Sequence, residues 1–171
     1  MHEEKLPAAE RLLGVQLWLN LPAKDKMAPP AYRSIKNSEI EEIEFNWGKL
    51  RLLAGEFEGR KGYMSKYLPL NYYDLHLNAK ESVIMNTESE RSVMVFTLLG
   101  DAYIGDELVK EKTAVKLTSG DQVEIKSTDK NAQVLFISST LLNEQVVWGG
   151  PIVMNTKEEL NKAFDDLKKG T

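Results

Sequence analysis

The chain has 171 residues, no cysteine, and 22 basic against 26 acidic side chains, for a formal charge of −4. Without cysteine there is no thiol nucleophile, no disulfide framework and no thiolate metal site. The acidic balance argues against broad binding to a phosphate backbone, and the 42 % apolar and 28 % charged content suits a globular domain able to bury its own core.

The strictly apolar runs at residues 93–96 and 134–137 are only four residues long, far short of the ~20 that a spanning helix needs. The opening Met1-His2-Glu3-Glu4-Lys5 has no basic stretch leading into an apolar one, so no signal peptide is read and a cytoplasmic location is expected. Residues 13–21 alternate: Val15, Leu17, Leu19 and Leu21 fall on one side, Gln16, Trp18 and Asn20 on the other. That period of two predicts a half-buried strand, closed by Pro22, which has no N–H to give a ladder. Residues 22–34, with Pro29-Pro30, then read as an extended crossover loop. Residues 1–38 are therefore expected to be an arm and crossover, and residues 39–171 a folded domain.

From there the chain reads as short strands at 40–45, 49–57, 72–77, 82–86, 92–99, 102–104, 107–109, 114–117, 122–126 and 134–138. Turn signals separate them at Asn46-Trp47-Gly48, Leu99-Gly100-Asp101, Ile104-Gly105-Asp106 and Ser119-Gly120-Asp121. Strands at this spacing predict an antiparallel sandwich or barrel. The period then changes. Thr156 with Glu159 forms a capping box, and Leu160, Ala163, Phe164 and Leu167 make one apolar stripe. Lys168 and Lys169 suit the helix dipole and Gly170 a left-handed stop, so a helix is predicted over 156–169. The whole predicts an all-β, cupin-like double-stranded β-helix (jelly roll) with one C-terminal α-helix and an N-terminal strand arm.

Three stretches resemble the pirin family: residues 16–32, from Gln16-Leu17-Trp18 to Pro29-Pro30-Ala31-Tyr32; Leu142-Asn143-Glu144-Gln145-Val146-Val147-Trp148; and residues 150–160, beginning Gly150-Pro151-Ile152. Ile152 departs from the family's usual phenylalanine, and residues 45–140 match in rhythm more than in letters. The resemblance implies a two-cupin protein whose first cupin holds one metal, typically iron, through a His-x-His pair and a later His-x-Glu pair just before the Gln-Leu-Trp stretch. His2-Glu3-Glu4 matches the later pair, and no counterpart of the earlier pair is present. The chain thus reads as the C-terminal part of a pirin-like bicupin, with His2 and Glu4 as an incomplete metal-ligand remnant and no cofactor expected in this chain.

Other residues carry weaker chemistry. Asp74 and His76 share one face of a strand and could bind metal or orient an imidazole. The alternation makes Tyr73, Leu75 and Leu77 the inward set, so Asp74 and His76 are expected to face outward, with a structural role. The aromatics Trp18, Trp47, Trp148, Tyr32, Tyr63, Tyr67, Tyr72, Tyr73 and Tyr103 are read as core or domain-interface residues, with a flavonoid-sized pocket as the other reading. Lys24-Asp25-Lys26-Met27 is expected to fix the crossover, and the glutamates between residues 39 and 58 to form a solvated face. Gly55 to Gly62 lacks the Gly-Lys-Ser/Thr of a phosphate loop, and no Ser–His–Asp assembly can be built from two histidines. No catalytic residue is assigned.

The expected function is a pirin-like C-terminal domain, non-catalytic alone, serving as a structural or protein-interaction half. The alternative is an iron-dependent quercetin-type dioxygenase when completed by the N-terminal cupin. The expected partners are a second copy of the chain, meeting through the N-terminal arm, or another protein; direct nucleic-acid contact and membrane association are not expected.

Overall fold

The computed structural model describes residues 8, 10 and 12–170. Fourteen short strands and one helix follow in chain order among these residues: β1 (Glu41–Phe45), β2 (Gly48–Ala54), β3 (Glu56–Phe57), β4 (Arg60–Lys61), β5 (Leu70–Leu77), β6 (Ser82–Asn86), β7 (Arg91–Leu99), β8 (Ala102–Ile104), β9 (Glu107–Val109), β10 (Ala114–Lys116), β11 (Gln122–Ser127), β12 (Ala132–Thr140), β13 (Val147–Gly149), β14 (Ile152–Met154) and α1 (Lys157–Lys169). Two antiparallel sheets carry the fold, one of six strands in the order β1-β2-β5-β12-β7-β10 and one of four in the order β6-β11-β8-β9. Both have open edges, so the jelly roll is a sandwich rather than a closed barrel.

Period-two alternation builds the interior. Leu50 and Leu52 of β2, Tyr73, Leu75 and Leu77 of β5, Val93 and Val95 of β7, and Val134 and Phe136 of β12 point inward from the larger sheet. Met85, Ala102, Ile104, Val109 and Ile125 meet them from the smaller one. Leu50, Leu75, Val95, Val134 and Ile125 have no solvent-exposed surface at all. Each such side chain contributes roughly 1.5–3 kcal/mol of transfer free energy. Glycine turns set the register: Gly48, at φ +137°, closes the β1–β2 hairpin, where a Cβ would collide with the carbonyl oxygen of His76.

Residues 13–21 depart from the predicted strand. They pair with no strand among the described residues; Leu17 and Leu19 are half-buried and Trp18 is 60 % exposed, but Val15 is 44 % exposed and Asn20 half-buried, so the alternation holds only over Leu17–Leu19. The reason lies in where the arm rests. Leu17–Asn20 share a groove of about 340 Å³ with Met94, Lys116, Ile137 and Leu142, and Met94 and Ile137 sit on the outer face of the larger sheet. A segment laid across a face meets side chains, whereas a ladder needs the free backbone groups of an edge. The crossover is tied down by Lys26, whose Nζ donates to Asn20 Oδ1 at 2.6 Å and to the Leu21 carbonyl at 3.1 Å, and by the Ala23 amide on Glu144 Oε2 at 2.8 Å.

The helix forms as predicted. The Glu159 amide donates to Thr156 Oγ1 at 3.1 Å, Glu159 Oε2 accepts from the Thr156 amide at 3.0 Å, and Gly170 adopts φ +74°. Its apolar stripe packs on the β13–β14 hairpin, where a Cβ at Gly149 would lie 3.1 Å from Phe164 and 3.2 Å from Leu160. No residue of α1 is fully buried. Among the described residues no helix is long and apolar enough to cross a membrane.

Candidate functional site

Two places in a jelly roll can carry chemistry: the interior between the sheets and the polar clusters on the sheet faces. The interior is hydrocarbon. Its buried hydroxyls already bond neighbouring groups. Ser127 Oγ donates to the Asn78 carbonyl at 2.5 Å and Thr97 Oγ1 to the Lys110 carbonyl at 2.5 Å. Ser138 Oγ pairs with Thr87 Oγ1 at 3.2 Å. Leucine, isoleucine and valine offer no lone pair to a cation. Among the described residues no three of His, Asp and Glu come together in a way that could hold a metal ion. His2 and Glu4 lie outside the described residues. The residues placed in space therefore do not fit a cupin metal.

An aromatic chain closes one end of the interior. Phe45 stacks on Trp47 at 4.9 Å, Phe57 meets both Phe45 and Tyr73 edge-on at 6.0 and 5.5 Å, and Tyr73 stacks on Phe136 at 5.7 Å. Tyr73 Oη donates to the Glu56 carbonyl at 2.6 Å. Burial pushes its hydroxyl up to about 12, against the opposing influence of Arg91. Trp47 and Tyr73 thus fill core, while Trp18, Tyr32 and Trp148 are exposed.

Asp74 and His76 face outward together, as alternation predicts, but Asp74 is not solvated: its side chain is 4 % exposed. Cross-strand neighbours cover it. β5 pairs Asp74 with Arg51 of β2, and His76 with Gln133 of β12. Arg51 Nη1 donates to Asp74 Oδ2 at 3.0 Å, Gln133 Nε2 donates to Oδ1 at 2.8 Å, and His76 Nε2 lies 3.1 Å from Oδ2. Arg51 continues to Glu42 Oε1 at 2.9 Å and Asn37 Oδ1 at 2.6 Å. Burial alone would raise the Asp74 pKa; the hydrogen bonds from His76, Gln133 and Arg51, with the electrostatic attraction of His76, outweigh it and hold the carboxyl below its ordinary value. The network joins four strands, β1, β2, β5 and β12, and the turn before β1. With its carboxylate fully engaged by donors, it braces the sheet and has no free base to offer a substrate. Sequence reading paired Asp74 with His76 but missed Arg51 and Gln133, because their contact is set by strand order, which no local pattern encodes.

The signature of the pirin C-terminal cupin domain matches residues 72–171. The chain belongs to the pirin family. Human pirin is 31 % identical over 98 % of this chain and 60 % of its own length. A Pseudomonas aeruginosa protein whose name assigns it provisionally to the quercetin 2,3-dioxygenases is 30 % identical over 99 % of this chain and 62 % of its own length. The crystal structure of quercetin 2,3-dioxygenase from Acinetobacter baumannii superposes with a TM-score of 0.82 at 29 % identity, covering 90 % of this chain and 54 % of that one. This chain therefore spans about three-fifths of the length of the curated pirin relatives it matches. It shares with them a pirin-like, quercetin-dioxygenase-like cupin fold.

Proposed function

We propose that this chain acts as the structural and interaction half of a pirin-like protein and holds no reaction centre in its own jelly roll. The observation that carries the reading is the interior. Where a catalytic cupin needs imidazoles, carboxylates and room for a substrate, this one has Leu50, Leu75, Val95, Val134 and Ile125 packed without exposed surface, and buried hydroxyls already bonded to other groups. The interaction surface is the arm with the segment before and within β13, where Leu12, Val15, Trp18, Leu141, Val146 and Trp148 are all exposed. Large apolar groups gathered on a surface favour association, and a second copy of this chain, meeting arm to arm, is the partner proposed.

A second reading rests on the names of the relatives: an iron-dependent quercetin-type dioxygenase, with His2 and Glu4 as two of the iron ligands and the remainder supplied by an N-terminal cupin. Two ligands alone would hold iron weakly. Iron loading followed by metal analysis and a quercetin turnover assay separates the two. The first reading predicts less than stoichiometric iron and no turnover by the isolated chain; one firmly held iron with turnover would overturn it. Light scattering on the eluting protein tests the association, and a strict monomer at high concentration would contradict it.

A further inference from the structure

Between the short 3₁₀ turns at Ala23–Asp25 and Asn37–Glu39 the chain runs Ala28-Pro29-Pro30-Ala31-Tyr32-Arg33-Ser34-Ile35-Lys36. Residues 29–36 are all exposed and belong to no helix or strand. Among the described residues, no hydrogen bond involves the backbone of residues 29–35 or the Tyr32 hydroxyl. Tyr32 is 75 % exposed, whereas Tyr73 of the core is 3 % exposed. Both ends of the span are nevertheless fixed. The Ala28 amide donates to the Asp25 carbonyl at 3.0 Å. Arg33 Nη2 donates to Glu39 Oε1 at 3.3 Å, and the Arg33 guanidinium lies over the Tyr63 ring, 5.9 Å from its centroid. The Lys36 amide donates to Glu39 Oε2 at 2.9 Å.

Local chemistry favours one backbone geometry in this span. Each proline ring restricts its own φ to about −65°, and a residue before proline is driven toward extended backbone, so Ala28 and Pro29 both favour polyproline II. That helix has three residues per turn and leaves its carbonyls unpaired, which sets Pro29 and Tyr32 on one edge. Free carbonyls, a proline ridge and an aromatic ring one turn further on suit an aromatic-lined groove, whose rings clasp the prolines while an adjoining pocket takes the tyrosine. Modules that read prolines three residues apart find no match, because Tyr32 and Arg33 stand at those positions. With both ends anchored and two prolines stiffening the middle, little conformational freedom is lost on docking.

We propose that Pro29-Pro30-Ala31-Tyr32 is a docking segment for a small β-sheet module of the WW type, with Pro30 and Tyr32 as its anchors. The inference goes beyond the structural-half reading, since it requires neither the arm-to-arm dimer nor a metal. The probe is a purified ¹⁵N-labelled WW domain that binds Pro-Pro-x-Tyr peptides, titrated with the full chain. The indole N–H signal of its groove tryptophan should shift and saturate with a Kd of about 0.1 mM, the strength of a short ligand with two anchors. Tyr32→Ala and Pro30→Ala, both at exposed positions, should each weaken binding by about tenfold or more. Ile84→Ala removes an apolar side chain of the smaller sheet that is 57 % exposed and should leave the affinity unchanged. Absence of saturation at about 1 mM chain, wild-type affinity in Tyr32→Ala, or loss of binding in Ile84→Ala, the mark of general adhesion to apolar surface, would each overturn the proposal.

Discussion

Replacing Asp74 with asparagine is the sharpest probe of the outer-face network. The substitution keeps the shape and leaves Oδ1 to accept from Gln133, but it puts an NH₂ donor where the Arg51 and His76 donors now converge on Oδ2. Removing one partner of a fully buried ion pair costs about 3–5 kcal/mol. Arg51, however, is 20 % exposed and keeps Glu42 and Asn37 as acceptors. The loss at pH 7 should therefore be about 2–3 kcal/mol. With a urea slope of about 2 kcal/mol/M, the midpoint should fall by about 1–1.5 M while the slope stays constant. The pH dependence adds a second signature. Because folding holds Asp74 below its unfolded value of 3.8, its contribution is fully present above that value and is lost as pH falls through the lower folded-state value. The gap between wild type and Asp74→Asn should narrow below about pH 4. A midpoint shift under about 0.3 M at pH 7, or a gap that does not change between pH 7 and pH 3, would refute the assignment of Asp74 as the brace of the sheet.

Three other substitutions test the framework. Gly48→Ala places a Cβ at φ +137° against the His76 carbonyl; equilibrium unfolding should show a loss of about 1–3 kcal/mol or more, with hydrogen-exchange protection falling first in β1 and β2. Thr156→Ala removes the helix cap and should cost about 1 kcal/mol. Since no residue of α1 is fully buried, the loss should appear as faster exchange at residues 157–169, with the sandwich midpoint unmoved. Phe136→Ala, which opens the interior beneath Tyr73, should cost about 3–5 kcal/mol by denaturant unfolding.

Three strands were legible in sequence to the residue, while β1 and β2, read as 40–45 and 49–57, run over Glu41–Phe45 and Gly48–Ala54. Ser82–Asn86, Ala102–Ile104 and Glu107–Val109 stand where the pattern put them; for the last two, Gly100 and Gly105, both at positive φ, turn the chain back between strands. The helix was legible because its capping box and glycine stop act within a few residues of chain. The β13–β14 hairpin was not. Its strands are held by α1 packing on Gly149, a contact between separate segments that no local pattern encodes. The arm misled for another reason: over Leu17–Leu19 its alternation records contact with a sheet face rather than membership of a ladder. Among site residues, the Asp74–His76 pairing was visible at a spacing of two, whereas Arg51 and Gln133 reach their places through non-local strand order. His2 and Glu4 rest on motif matching alone.

On the function proposed above, the space between the two sheets takes up neither metal nor substrate. Paramagnetic Mn²⁺ titrated into protein with labelled methyl groups tests it directly. The methyl signals of Leu50, Leu75, Val95 and Val134 should keep their intensity at one equivalent of ion and beyond. Selective broadening of those four, ahead of methyls on the surface, would place a cation inside the jelly roll and contradict the account.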